Sequence, residues 1–175
     1  SWYQDRVIDV TVQDVFRDGM SEPYQVSESG GALTVRIGDG DVTITGLHQY
    51  QVTYEVAGAL TYYEDGTIDL YWNATGDQWE VPIASSSAIV IGAPAMLLPA
   101  QQCYVGAHGA TRDCAGISTA TNTVAFSAER LAPGQGLTIA QALNPELVAY
   151  QVREEWNLWW LWLSLGLVWL IGAGV

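Results

Sequence analysis

Over the first 145 positions the apolar residues come in short runs, each closed by Gly, Pro, Asn or Asp. Those closing residues supply positive φ angles or preset turns, so each run reads as a β-strand. The predicted strands cover residues 6–16, 32–37, 42–45, 48–56, 68–73, 79–83, 87–91, 96–105, 121–127 and 137–143. The first alternates around Val7, Asp9, Val10, Val12 and Val15 and ends at Arg17-Asp18-Gly19. The cleanest period of two is Tyr50-Gln51-Val52-Thr53-Tyr54-Glu55-Val56, whose even-numbered positions are apolar, so one face is expected to pack inward. Turn signals roughly every ten residues fit an antiparallel sandwich better than βαβ units. The expected fold is therefore all-β, an antiparallel β-sandwich of immunoglobulin-like architecture. The only helical turn expected before the C-terminal tail is a short one over 127–132, closed by Pro133 and Gly134.

The pattern changes at Trp156. From there to Val175 no residue is charged and no polar face recurs. Twenty residues at about 1.5 Å each span about 30 Å, the hydrocarbon thickness of a bilayer, so the tail is predicted to be one transmembrane helix. Trp156, Trp159, Trp160 and Trp162 crowd its N-terminal end, where indoles favour the membrane interface, and Trp169 lies deeper. Residues 146–155 then form a juxtamembrane linker or helix, and 1–145 the domain.

Charge narrows the partners. The chain carries 19 acidic and 6 basic residues, a formal charge of −13. Arg6, Arg17, Arg36, Arg112, Arg130 and Arg153 are scattered, so no basic patch suited to nucleic acid is written here. Cys103 and Cys114 flank a polar, Gly-rich stretch that suits a small disulfide-closed loop, worth roughly 2 to 3 kcal/mol in the chain-entropy model. The alternative is a metal pair, but with His108 it supplies three ligands and falls short of a four-ligand zinc set. Disulfides persist outside the reducing cytosol, which places the domain on the extracytoplasmic side. Glu154 and Glu155 beside the tail say little about orientation, because acids contribute weakly to that rule.

Several blocks together carry a resemblance. They are Arg36-Ile37-Gly38-Asp39, the run from Thr45 to Val56, Leu70-Tyr71-Trp72-Asn73-Ala74-Thr75-Gly76, and Trp79-Glu80-Val81-Pro82-Ile83. Cys103-Tyr104-Val105-Gly106 leading to Cys114, and the run from Leu131 to Ile139, continue it. In this order they resemble the membrane proteins of domain-of-unknown-function family 2207, over roughly residues 30 to 170. The resemblance implies a bacterial or archaeal surface domain with paired cysteines, a transmembrane segment soon after the last strand, and no assigned activity. The family's opening strands and later membrane segments have no counterpart here, so the chain is expected to be a fragment.

Candidate chemistry is sparse. Asp39, Asp41 and His48 surround a Gly-rich turn, but two carboxylates are too few for a calcium loop, and a strand-joining turn is the favoured reading. Ser85, Ser86 and Ser87 have no nucleophile elbow around them. The adjacent pair Glu64 and Asp65 points in different directions on a strand. Trp72 and Trp79 flank a polar hexapeptide: as core fillers they close a sandwich, and as exposed rings beside a carboxylate they bind sugar. The Asn73-Ala74-Thr75 sequon carries no weight in a bacterium. No catalytic, cofactor or metal residues are expected. The predicted role is a membrane-anchored binding or interaction module, with the bilayer and envelope proteins as partners, and a carbohydrate-binding or carbohydrate-active domain is the rival.

Overall fold

The computed structural model describes residues 8–148. They form thirteen strands, all paired antiparallel, and no helix. The strands are β1 (Asp9–Arg17), β2 (Met20–Ser21), β3 (Tyr24–Ser29), β4 (Ala32–Ile37), β5 (Tyr50–Ala57), β6 (Leu60–Tyr62), β7 (Ile68–Asn73), β8 (Ile83–Ile91), β9 (Leu97–Gly106), β10 (Arg112–Asp113), β11 (Gly116–Ala120), β12 (Thr123–Leu131) and β13 (Gly136–Leu143).

The core is built from the second half of the chain. A five-stranded sheet ordered β10-β9-β13-β7-β6 faces a three-stranded sheet ordered β11-β12-β8. The first contributes Cys103, Val105, Leu137 and Ile139 to the buried layer, and the second Val124, Phe126, Ala128 and Leu131. Trp72, Ala88, Val90 and Leu97 close its margins. Strict alternation makes this possible: along β13 the odd positions Leu137, Ile139, Gln141 and Leu143 are buried, while Thr138, Ala140 and Ala142 lie on the other face. Full burial of a side chain the size of Phe126 or Leu137 stabilises by roughly 1.5–3 kcal/mol. One buried polar group sits among them. Gln141 donates its amide hydrogens to the carbonyls of Leu98 (2.8 Å) and Ala142 (2.7 Å), and its amide oxygen is buried without a partner.

The first half forms two smaller sheets, β2-β1-β5 and the hairpin β3-β4. Gly30 and Gly31 join the hairpin with φ of 59° and 77°, the geometry of a two-residue primed turn. Val15 is buried where the chain doubles back, and Glu22 donates its backbone N–H to the Val15 carbonyl. Arg17 Nε meets the Glu22 carboxylate at 3.1 Å in the same place.

The expected strands at 42–45 and 79–83 do not form; residues 38–49 are irregular, and only Ile83 of the second enters a strand, β8. The helical turn expected at 127–132 is instead the end of β12. There Arg130 takes φ 54° and drops out of register between the pairs Glu129–Ser85 and Leu131–Ile83. The largest correction concerns β5. Tyr50, Val52 and Tyr54 were expected to pack inward, yet they are 45%, 37% and 45% exposed, because among the described residues no second sheet covers them.

Candidate functional site

The surface with the most convergent chemistry lies on the outer face of the five-stranded sheet. A groove of about 340 Å³ runs there between the turn after β7 and the β9–β10 loop, and Tyr71, Asn73, Asp77, Tyr104, His108 and Thr138 contribute to its lining. The two rims are held by different means. On one side the Asn73 side-chain oxygen accepts the N–H of Gly76 (3.0 Å), and the Thr75 hydroxyl accepts the N–H of Leu137 (2.8 Å). Gly136 lies so close beneath this turn that a Cβ there would overlap the Gly76 carbonyl oxygen.

On the other side the Cys103–Cys114 disulfide closes the β9–β10 hairpin, with a Cα–Cα distance of 5.5 Å and Cys114 N–H bonded to the Cys103 carbonyl at 3.1 Å. Cys103 belongs to the core, so the bridge ties the loop carrying His108 to the most rigid part of the fold. His108 is fully exposed and 3.9 Å from the Asp77 carboxylate. The Tyr104 hydroxyl bonds to the Gln102 side-chain oxygen, which fixes its ring on this face.

The two tryptophans singled out in the sequence part company. Trp72 packs against the core. Trp79 is 53% exposed, with its indole N–H donating to the Thr75 carbonyl at 2.7 Å, and it lines a shallow cleft of about 420 Å³ with Gly76, Asp77 and Gln78. That cleft is larger than the groove, but one turn supplies all its walls. Sequence reasoning passed over Tyr71 and Tyr104, although each sits at an outward position of an alternating strand.

The other polar candidates are used locally. The Asp39 carboxylate accepts the N–H of Asp41 at 2.9 Å. Asp65 accepts both the N–H and the hydroxyl of Thr67, and those two bonds, the hydroxyl first, hold its carboxyl below the usual value. Ser86 donates to the Ala128 carbonyl. His48 pairs with Asp18 at 2.7 Å and with the Thr45 carbonyl at 3.1 Å. Among the described residues no three His, Cys, Asp or Glu side chains gather as metal ligands would.

The model of a family described as the N-terminal domain of a predicted membrane protein, DUF2207, matches residues 3–143. The chain belongs to this family. An uncharacterized protein of Escherichia coli (strain K12), YciQ, is 33% identical to it over 70 residues, 39% of this chain and 11% of the relative's length. No solved structure matches. Membership in DUF2207 makes this a domain of a predicted membrane protein and implies association with a lipid bilayer. Trp156, Trp159, Trp160, Trp162 and Trp169 lie outside the described residues, and among the described ones no helix is long and apolar enough to cross a membrane.

Proposed function

We propose that this DUF2207 domain is a non-catalytic interaction module on the extracytoplasmic side of the membrane, a β-sandwich of immunoglobulin-like architecture carried by residues 156–175 as a transmembrane helix. The disulfide supports that side, and the uncharged run of twenty residues supports the anchor. Its partner is a second copy of the chain, and the observation that carries this is the outer edge of β5, which pairs with no other strand among the described residues.

In the order β2-β1-β5, β5 is a terminal strand eight residues long, free of Pro and Gly. An exposed edge of that kind is a template for a further strand. Opposed residues of β1 and β5 share a face, so Val10 and Val12 lie beside Val56 and Tyr54 on the apolar side, with the buried Val15 beside Val52 at its end. The strand is also complementary to itself. Two copies paired antiparallel about Thr53 set Tyr54 against Val52 and Tyr50 against Val56 on the apolar face, and Gln51 against Glu55 on the other. Aromatic residues then meet β-branched ones, with no like charges opposed, as a two-fold interface requires. With Thr53→Cys in the membrane-embedded protein, mild oxidation yields a covalent dimer, whereas Thr11→Cys on the interior strand β1 yields none. Equal crosslinking at both positions, or none at Thr53, contradicts the pairing.

A further inference from the structure

We infer that the groove on the outer face of the five-stranded sheet is a binding site for a neutral oligosaccharide. The site is on a different sheet from β5, so it stands or falls independently of the self-pairing proposed above.

The argument starts from register. Tyr71 of β7 lies opposite Ala140 of β13, which lies opposite Gln102 of β9. Asn73 lies opposite Thr138, which lies opposite Tyr104. Opposed residues point to the same side of a sheet, so the outer face presents two successive rows. Each row has an aromatic ring at one flank, an amide at the other and a small residue between them. The aromatic side alternates, with Tyr71 on the β7 flank and Tyr104 on the β9 flank. Two ladder spacings separate the flanks by about 9.5 Å, and two residues along the strand separate the rows by about 7 Å. The small residues between the flanks, Ala140 and Thr138, leave room for one ring-sized group per row, and Thr138 with Gly136 lines the groove itself.

Sugar rings match that layout. A pyranose has apolar C–H faces that stack on an aromatic ring and equatorial hydroxyls that need donors and acceptors at its edge. The amide hydrogens of Asn73 and Gln102 are donors and the Thr138 hydroxyl is both donor and acceptor, and Tyr71 is 49% exposed, so its ring can take a stacked sugar. Ligand sites commonly combine apolar walls with a few fixed polar groups, and the groove volume of about 340 Å³ is at the small end of their range.

Charge selects within the sugars. Asp69 shares the face of Tyr71 on β7, Asp113 pairs with Tyr104, and Asp77 stands at the groove end. Together with a net charge of −13 these carboxylates disfavour uronic acids, sulfated glycans and phosphate-bearing polymers.

The test is calorimetric titration of the detergent-solubilised full chain with cellohexaose and chitohexaose, with a heparin hexasaccharide and a neutral tyrosine-rich peptide alongside. Saturable binding of a neutral hexasaccharide is expected, weakened about tenfold by either Tyr71→Ala or Tyr104→Ala and retained by Tyr71→Phe, which keeps the stacking ring. Val26→Ala, exposed on the β3–β4 hairpin, leaves it unchanged. Binding that survives both alanine variants, binding confined to heparin or the peptide, or no saturable binding of either neutral sugar overturns the assignment. Circular dichroism of each variant separates lost binding from lost fold.

Discussion

His48 faces an acceptor at each ring nitrogen, the Asp18 carboxylate at 2.7 Å and the Thr45 carbonyl at 3.1 Å. Only the imidazolium donates from both nitrogens, so the geometry favours the charged ring. The Asp18 bond first and the Thr45 bond second raise its pKa above 6.5, while the N–H of Gln49 and then His48 lower that of Asp18 below 3.8. Arg17 beside the pair opposes the charge on His48 and supports that on Asp18. A histidine whose folded value is raised contributes fully below 6.5 and loses its contribution as pH rises through the raised value. A carboxylate whose value is lowered contributes above 3.8 and loses its contribution as pH falls through the lowered value. The clamp between the β1–β2 turn and the segment before β5 is therefore firmest between those two values. Protection of the Gln49 amide, whose N–H donates to Asp18, measured relative to its intrinsic exchange rate at each pH, is expected to be greatest below pH 6.5 and to fall as pH rises through the raised His48 value, a fall that His48→Ala removes. Protection that does not change with pH would contradict the clamp. None of this was legible in the sequence, where His48 is 30 positions from Asp18 and only folding brings them together.

Strands with an alternating pattern were largely legible, but what each strand faces was not. The strands β4, β7, β9 and β13 are close to their predicted bounds, because Gly, Pro or Asn punctuates both ends of an apolar run. β3 was missed although Gly30-Gly31 marks its turn, since Tyr24–Ser29 carries a single apolar branched residue and the strand is exposed along most of its length. β11 was missed for the same reason, being five residues long with only Ile117 as a large apolar residue. The alternation of β5 is sharper than that of β12, yet β12 supplies the core and β5 does not. Alternation reports that a strand has two faces; which face is covered depends on a partner sheet that local pattern does not encode. Two substitutions in one sheet make the distinction measurable. Phe126→Ala, at 1% exposure, is expected to cost about 3–5 kcal/mol in urea unfolding. Ile89→Ala, on β8 at 62% exposure, should cost under about 1 kcal/mol. Similar losses would mean that the two sheets do not pack as described.

For the molecule as a whole, the proposed reading joins two environments in one polypeptide: an acidic, disulfide-closed β-domain and a tail suited to lipid. Membership in a family of predicted membrane proteins supports association with a bilayer, and the Cys103–Cys114 bridge supports the proposed extracytoplasmic side. The tryptophans of the tail, read as a span from length and lack of charge, lie outside the described residues. The groove was not legible, because Tyr71 and Tyr104 are 33 positions apart and become neighbours only through the order β9-β13-β7. The placement itself is tested most directly at Leu47, which is fully exposed in the irregular segment before β5. With Leu47→Cys in intact spheroplasts, a membrane-impermeant maleimide should label the protein without lysis. Labelling only after the membrane is opened would put the domain in the cytoplasm and contradict the account.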